Sequence, residues 1–271
     1  MKDPVKIFQD NCRAEIMAQG ASSDAKEASL DWMRLTGTTK YSFHFEWLGR
    51  PIIQYPQDII AFQEIVHRVR PEVIFETGIA HGGSLVLSAS MLTLLDIIEG
   101  RDPWQSERKV IGVDIDIRPH NRAALEAHPL RRKMEFIEGS SIAPDIVTEV
   151  YERVAGVARQ AESPVLVCLD SNHTHDHVLA ELEAYAPLVT PGSYCIVFDT
   201  IIEDLPETSE PGRPWGRGDS PKTAVVEYLA SLAGEGRTAT DGAPLWLEVD
   251  EQVENKLLIT VAPQGYLRRV D

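Results

Sequence analysis

Cysteine and positive charge are the two things this chain has least of. Its 271 residues hold three cysteines, Cys12, Cys168 and Cys195, with no CxxC pair among them. That argues against a disulfide framework and against a thiolate zinc cluster. Lysine and arginine total 26 against 42 aspartates and glutamates, a formal net charge of -16. Such a field repels phosphate backbones and acidic bilayers, so no nucleic-acid or membrane partner is expected. No window approaches the roughly 18 apolar residues of a membrane span, and Met1 to Gly20 lacks the apolar run of a signal peptide. A cytoplasmic protein is expected. Internal repeats and low-complexity tracts are missing too.

What the chain does have is 43% hydrophobic residues, enough for a buried core. From Pro71 onward short apolar runs alternate with helical patterns, which predicts βαβ units and a parallel sheet. The expected strands are Val73 to Glu76, Val110 to Asp114, Met134 to Ile137, Val165 to Asp170 and Ser193 to Asp199. Each is apolar on both faces, as in a sheet covered by helices on both sides. Helices are predicted at Ser84 to Glu99, Arg122 to Ala127, Asp145 to Gln160, Val178 to Ala186 and Lys222 to Ala233, with Pro144 and Pro221 in first turns and Ser220 as an N-cap. Leu245 to Val249 and Leu257 to Val261 are expected to form a final hairpin, because the segment between them is too short for a crossover helix. The sum is an α/β, Rossmann-like class I methyltransferase domain at 57–271, its seven-stranded, mostly parallel sheet ending in an antiparallel strand. Residues 1–56 form an N-terminal helical and aromatic segment, whose stretch Tyr41 to Tyr55 either caps the active site or packs the sheet edge.

The first strand runs into Glu76-Thr77-Gly78-Ile79-Ala80-His81-Gly82-Gly83-Ser84. Glycines there let the backbone approach a ligand and take positive φ. The spacing is neither GxGxxG nor a P-loop, which weakens dinucleotide and nucleoside triphosphate readings. Glu76 stands at the carboxyl edge of the sheet, where open α/β folds bind ligands, and a carboxylate there suits the ammonium of S-adenosylmethionine (SAM). Asp114, ending the second strand, is placed to accept from ribose hydroxyls. Ser140 and Ser141, after the third strand, are placed to line an adenine pocket. Thr77, Gly78, Gly82, Gly83 and Ser84 complete the expected cofactor contacts, with Asp170 bordering them.

The fourth strand leads into Asp170-Ser171-Asn172-His173-Thr174-His175-Asp176-His177 and the fifth into Phe198-Asp199-Thr200. Neighbouring carboxyl ends converge, so Asp170 and Asp199, helped by Thr200 or Asn172, are candidates to hold Mg²⁺ or Mn²⁺ through oxygen. The alternative is that these acids cap turns. An imidazole has the right unperturbed pKa for a general base, and His173 is the candidate. His175 is a lesser candidate, for contact with substrate. Leu205 to Ser220, rich in Pro and Gly, reads as a mobile lid whose Arg213, Trp215 and Arg217 clamp a sugar or phosphorylated ligand.

At these residues the sequence resembles the cephalosporin hydroxylase family, which covers many sugar- and antibiotic-tailoring methyltransferases. The resemblance runs from about Tyr41 to Glu227, through Phe45-Glu46-Trp47-Leu48-Gly49, Pro56-Gln57-Asp58, the glycine-rich turn, Leu169-Asp170-Ser171-Asn172-His173 and Phe198-Asp199-Thr200. It implies a SAM- and Mg²⁺-dependent O-methyltransferase acting on a small, sugar-containing acceptor and assembling as a homo-oligomer. It further implies SAM contacts at Glu76, Gly78, Gly82, Ser84 and Asp114, and metal contacts at Asp170 and Asp199. Relatives carry two acids in tandem after the fifth strand, where this chain has Phe198 in the first position. A more distant likeness, to catechol O-methyltransferases, matches Asp199-Thr200 to an acid and amide that bind metal, and His173 to a base. Three alternatives from other classes are a hydroxylase, for which no iron or flavin site is recognisable, a non-catalytic partner that keeps the SAM fold, and a nicotinamide-dependent oxidoreductase.

Overall fold

A computed structural model describes residues 3–159, 163–206 and 212–270. Two helices come first, α1 (Pro4–Gly20) and α2 (Ser23–Gly37), capped by the side chains of Asp3 and Ser22. A short antiparallel hairpin follows, β1 (Phe45–Trp47) with β2 (Arg50–Ile52). Then α3 (Pro56–Val69), opened by a proline in its first turn, leads into the alternating part of the chain.

That part contains β3 (Val73–Thr77), α4 (Gly83–Ile98), β4 (Lys109–Asp114), α5 (Pro119–Glu126), β5 (Met134–Glu138), α6 (Pro144–Val157), β6 (Val165–Leu169), α7 (His175–Tyr185), β7 (Tyr194–Val197) and α8 (Pro221–Glu235). The end of the chain adds β8 (Trp246–Val249), α9 (Glu251–Lys256) and β9 (Tyr266–Val270). The seven-stranded sheet has the order β5-β4-β3-β6-β7-β9-β8, with β9 antiparallel to both its neighbours.

Strand residues alternate between two cores, as period two requires. Ile74, Val110, Leu166 and Ile196 face α3 and α4, while Phe75, Ile111, Val167, Cys195 and Val197 face α6, α7 and α8. Helix α4 is apolar nearly all round because the sheet lies on one side of it and the N-terminal segment on the other. Ser220 caps α8 as expected, in a reciprocal pair with Thr223.

One sequence expectation fails. Leu257 to Val261 is a buried loop, and the strand that pairs with Trp246–Val249 is Tyr266–Val270. The cause is local and tertiary together. Asp250 caps α9, using up the polar connector, and the buried carboxylate of Asp58 then fixes the apolar run by accepting from the Thr260 hydroxyl and, at 3.0 Å, from the Val261 amide. The protein contains no helix long and apolar enough to cross a membrane among the described residues.

Candidate active site

Register sets the site. Thr77 pairs with Val113 and Leu169, and Leu169 pairs with Val197, so Gly78, Asp170 and Phe198 emerge one step beyond a level row, alongside Asp114, the last residue of β4. The Asp170 amide donates to the Thr77 carbonyl at 3.1 Å, and the Phe198 amide to the Leu169 carbonyl at 2.9 Å. Gly78 has φ +83, and a Cβ there would sit 1.9 Å from the Asp170 carbonyl oxygen. Only glycine fits.

The glycine-rich loop is tied down from three directions. One Asp114 oxygen accepts from the Ile79 amide (2.8 Å) and the Ala80 amide (3.0 Å), which steadies the left-handed backbone of Ala80, φ 45. Its other oxygen accepts from Asp116 at 3.0 Å. Asn121 donates to the Ala80 carbonyl, and Arg50 of the β1–β2 hairpin donates to the His81 carbonyl and, at 2.8 Å, to the Asn121 oxygen. Asp114 therefore has a structural duty that its sequence position did not announce. About four acceptor sites belong to a carboxylate, which leaves roughly one for a ribose hydroxyl.

Beneath the loop lies a cavity lined by Ile52, Gln54, Asp58, Glu76, Ser84, Ser88, Asp170 and Phe198, among others. Glu76 is 3% exposed and accepts from the hydroxyls of Ser84 (2.7 Å) and Ser88 (3.2 Å). Burial pushes its pKa up to about 7, against the two hydroxyls. Thr77 is fully buried and takes part in the sheet edge through its hydroxyl, which accepts from the Asp170 amide at 3.2 Å. Gly82, φ +85, precedes α4, and Gly83 packs so closely on Pro51 and Ile52 that a Cβ would clash. The N-terminal hairpin thus reaches both the loop and the cavity.

Asp170, His173 and Asp199 come together, each offering an atom within 4.8 Å of the others'. His173 Nε2 is 3.1 Å from an Asp199 oxygen. Asp199 has φ 56, a left-handed conformation unusual for a residue with a side chain. Asp170 is held well above the usual carboxylate range, first by burial and then by the charges of Asp199, Glu76, Glu181 and Asp58. Phe198 is 8% exposed and packs in the core, in keeping with its sequence position beside Asp199.

The remaining expected residues divide. Trp215 stands edge-on to the His173 ring at 4.8 Å, with the Arg213 guanidinium 5.0 Å from the indole centroid, so both belong to the site. Arg217 is exposed in the turn closed between Gly216 and Asp219. Of the presumed lid, 207–211 lie outside the described residues. Thr200 does not fit a ligand's role, because it is fully buried and its hydroxyl donates to the Pro263 carbonyl at 2.7 Å. His175 does not fit contact with substrate, since its ring lies 2.8 Å from the Thr223 hydroxyl and 3.2 Å from Glu227, joining α7 to α8. Ser141 is 5% exposed and meets His177 at 3.1 Å, which leaves Ser140 the more open of the two serines.

Sequence reasoning missed the network around His177, whose Nε2 lies 3.2 Å from Ser171 and 3.4 Å from the fully buried Glu181. It also missed Tyr55, buried close enough to Asp58 and Asp199 that their charges add to the effect of burial in raising its pKa. The signal for Tyr55 was its place at the end of the aromatic stretch, just before Pro56.

Sheet order and an antiparallel β9 between two mutually parallel strands define a class I methyltransferase fold. The chain belongs to the rhamnosyl O-methyltransferase/CmcI family, whose model matches residues 39–270. A rhamnosyl O-methyltransferase of Mycobacterium tuberculosis is 29% identical over 213 residues, covering 78% of this chain and 73% of its own. The Mycobacterium leprae protein of the same name is 27% identical over 223 residues, 82% of each chain. A solved structure of CmcI with Mg and SAM aligns with a TM-score of 0.52 at 19% identity, covering 84% of this chain and 78% of that one, and bears on the fold.

Proposed function

We propose that this enzyme is a SAM-dependent O-methyltransferase that methylates a sugar hydroxyl on a glycosylated small molecule, with a divalent cation at Asp170 and Asp199. The observation that carries the reading is the juxtaposition of the Asp170, His173 and Asp199 cluster with the cavity below the glycine-rich loop. Mycobacterial relatives named for rhamnosyl O-methylation support a sugar as acceptor.

The donor set fits a cation. The charge of Asp199 adds to burial in raising the pKa of Asp170, and a divalent ion would remove that conflict. A cation held by Asp170 and Asp199 would supply Lewis acidity beside the acceptor, and SAM would supply an electrophilic methyl group. Glu76 would hold the ammonium of the cofactor's amino-acid part, and Asp114 keeps about one acceptor that would take a ribose hydroxyl. His173 takes the acceptor's proton, its ring oriented by Asp199 and by the edge-on contact of Trp215. Trp215 and Arg213 also offer an apolar face and a cation to a sugar ring. Residues 1–56 act as a cap whose hairpin closes one side of the cofactor pocket.

A second reading comes from the 3.1 Å between His173 and Asp199. At that distance the imidazole can serve as a third metal ligand, which favours Mn²⁺ over the harder Mg²⁺. The test is incubation with SAM and a panel of rhamnosylated and other glycosylated acceptors, read by mass spectrometry. One added methyl on a sugar oxygen supports the proposal, and methylation confined to nitrogen or carbon overturns it. Faster turnover with Mn²⁺ than with Mg²⁺, together with metal affinity lost in His173→Ala, selects the second reading.

A further inference from the structure

Gln54 sits in the short link between β2 and α3, between the half-buried Ile53 and the buried Tyr55. It is 5% exposed, lines the cavity that holds Glu76 and Asp170, and its side-chain carbonyl oxygen has no hydrogen-bond partner. A buried acceptor left without a donor is costly, and native proteins keep few of them. Gln57 also has an unpartnered oxygen, but it does not line this cavity.

The cavity asks for a donor with positive charge. Each Glu76 oxygen already takes a serine hydroxyl, and Asp58 takes Thr260, Tyr266 and the Val261 amide. An ammonium has three donors to satisfy, more than the partly committed Glu76 readily supplies. We propose that Gln54 is a further cofactor-binding residue, whose side-chain oxygen accepts a hydrogen bond from the ammonium of the cofactor's amino-acid part. This rests on the reading of the protein as SAM-dependent. It makes the N-terminal segment part of the binding site as well as a cover, with Gln54 before α3 and Glu76 after it lining the same cavity.

Calorimetric titration tests it with two ligands, SAM and methylthioadenosine, which shares the nucleoside but has no ammonium or carboxylate. In Gln54→Leu the affinity for SAM is expected to fall about ten- to a hundredfold, the usual loss for a hydrogen bond to a charged group. Methylthioadenosine should bind as to the wild type, which also certifies the variant's fold. Gln54→Glu keeps an acceptor at the same reach and should hold SAM close to wild-type affinity. Undiminished SAM binding by Gln54→Leu overturns the proposal, as does a loss in Gln54→Glu equal to that in Gln54→Leu. Wild-type protein that binds methylthioadenosine and SAM equally overturns it too, while leaving a nucleoside site in place. Failure of the wild type to bind either ligand removes the SAM reading itself.

Discussion

The two edges of the sheet treat buried charge in opposite ways. At the amino-terminal edge Asp96 offers one oxygen to Arg108 at 3.1 Å and the other to Lys133 at 2.6 Å, and none of the three is more than 1% exposed. Opposite charges there neutralise each other within the fold. At the carboxyl edge Glu76, Asp170 and Asp58 are all held above the usual carboxylate range, with burial the first cause in each. Acids crowd against acids. The first arrangement is a finished structural pairing, and the second is built at a cost to stability that, on the proposed function, a divalent cation and SAM would offset. Trading stability for function in this way is common at active sites.

The largest effect should come from the chemistry of the carboxyl edge. His173→Ala is expected to lower methyl transfer about 10²- to 10⁴-fold, the usual share of a general base, with SAM affinity unchanged by calorimetry. Loss of SAM binding in parallel would place the imidazole in the cofactor pocket instead.

Stability should separate the two edges directly. Asp96→Ala takes the buried Lys133 ammonium's carboxylate away and leaves buried Arg108 only Glu72 and Glu99, and should cost about 3–5 kcal/mol in denaturant titration. Asp170→Asn removes one of several mutually repelling acids and should raise stability at neutral pH by about 1 kcal/mol while abolishing turnover. If both substitutions destabilise equally, the contrast between the edges fails.

The same contrast predicts a pH trend. Glu76 keeps its proton in the fold up to about pH 7, against an ordinary value of 4.5, and Asp58 up to about 6, against 3.8. Between those limits the folded state binds protons that the unfolded chain has released, so stability falls as pH rises from about 4 to about 7. For Glu76 the window is worth about 3 kcal/mol at most. Thermal melts of Glu76→Gln should lose much of this slope, and an unchanged slope would show that other groups set it.

At the small end, Trp215→Ala should lower kcat by about tenfold through a loosened His173, as misplaced catalytic groups do. Arg217→Ala should lie within assay error, because Arg217 is exposed in its turn. An equal effect from both would return the whole segment to the role of a clamp.

Much of this was legible in the sequence where the information is local. Five parallel strands showed as apolar runs, and acids at or just past their carboxyl ends marked Glu76, Asp114, Asp170 and Asp199. What could not be read depended on contacts distant in the chain. Leu257 to Val261 has a strand's composition, but Asp58, about 200 residues earlier, holds it as a loop. Thr200 stands beside a site aspartate, yet its hydroxyl belongs to the turn at Pro263. His175 and His177 look alike on paper, and only the packing of α7 sends one toward α8 and the other toward Glu181. Gln54 carries no motif at all. Its interest arises from burial without a partner.

The central claim, that the carboxyl edge is an acidic site completed by a divalent cation, is tested most directly by methyl transfer after exhaustive chelation. Activity should be lost, return on adding Mg²⁺ or Mn²⁺, and fail to return in Asp170→Asn or Asp199→Asn. Full activity in the stripped wild-type enzyme would contradict it, and would leave the two aspartates as partners of the substrate hydroxyl and of His173.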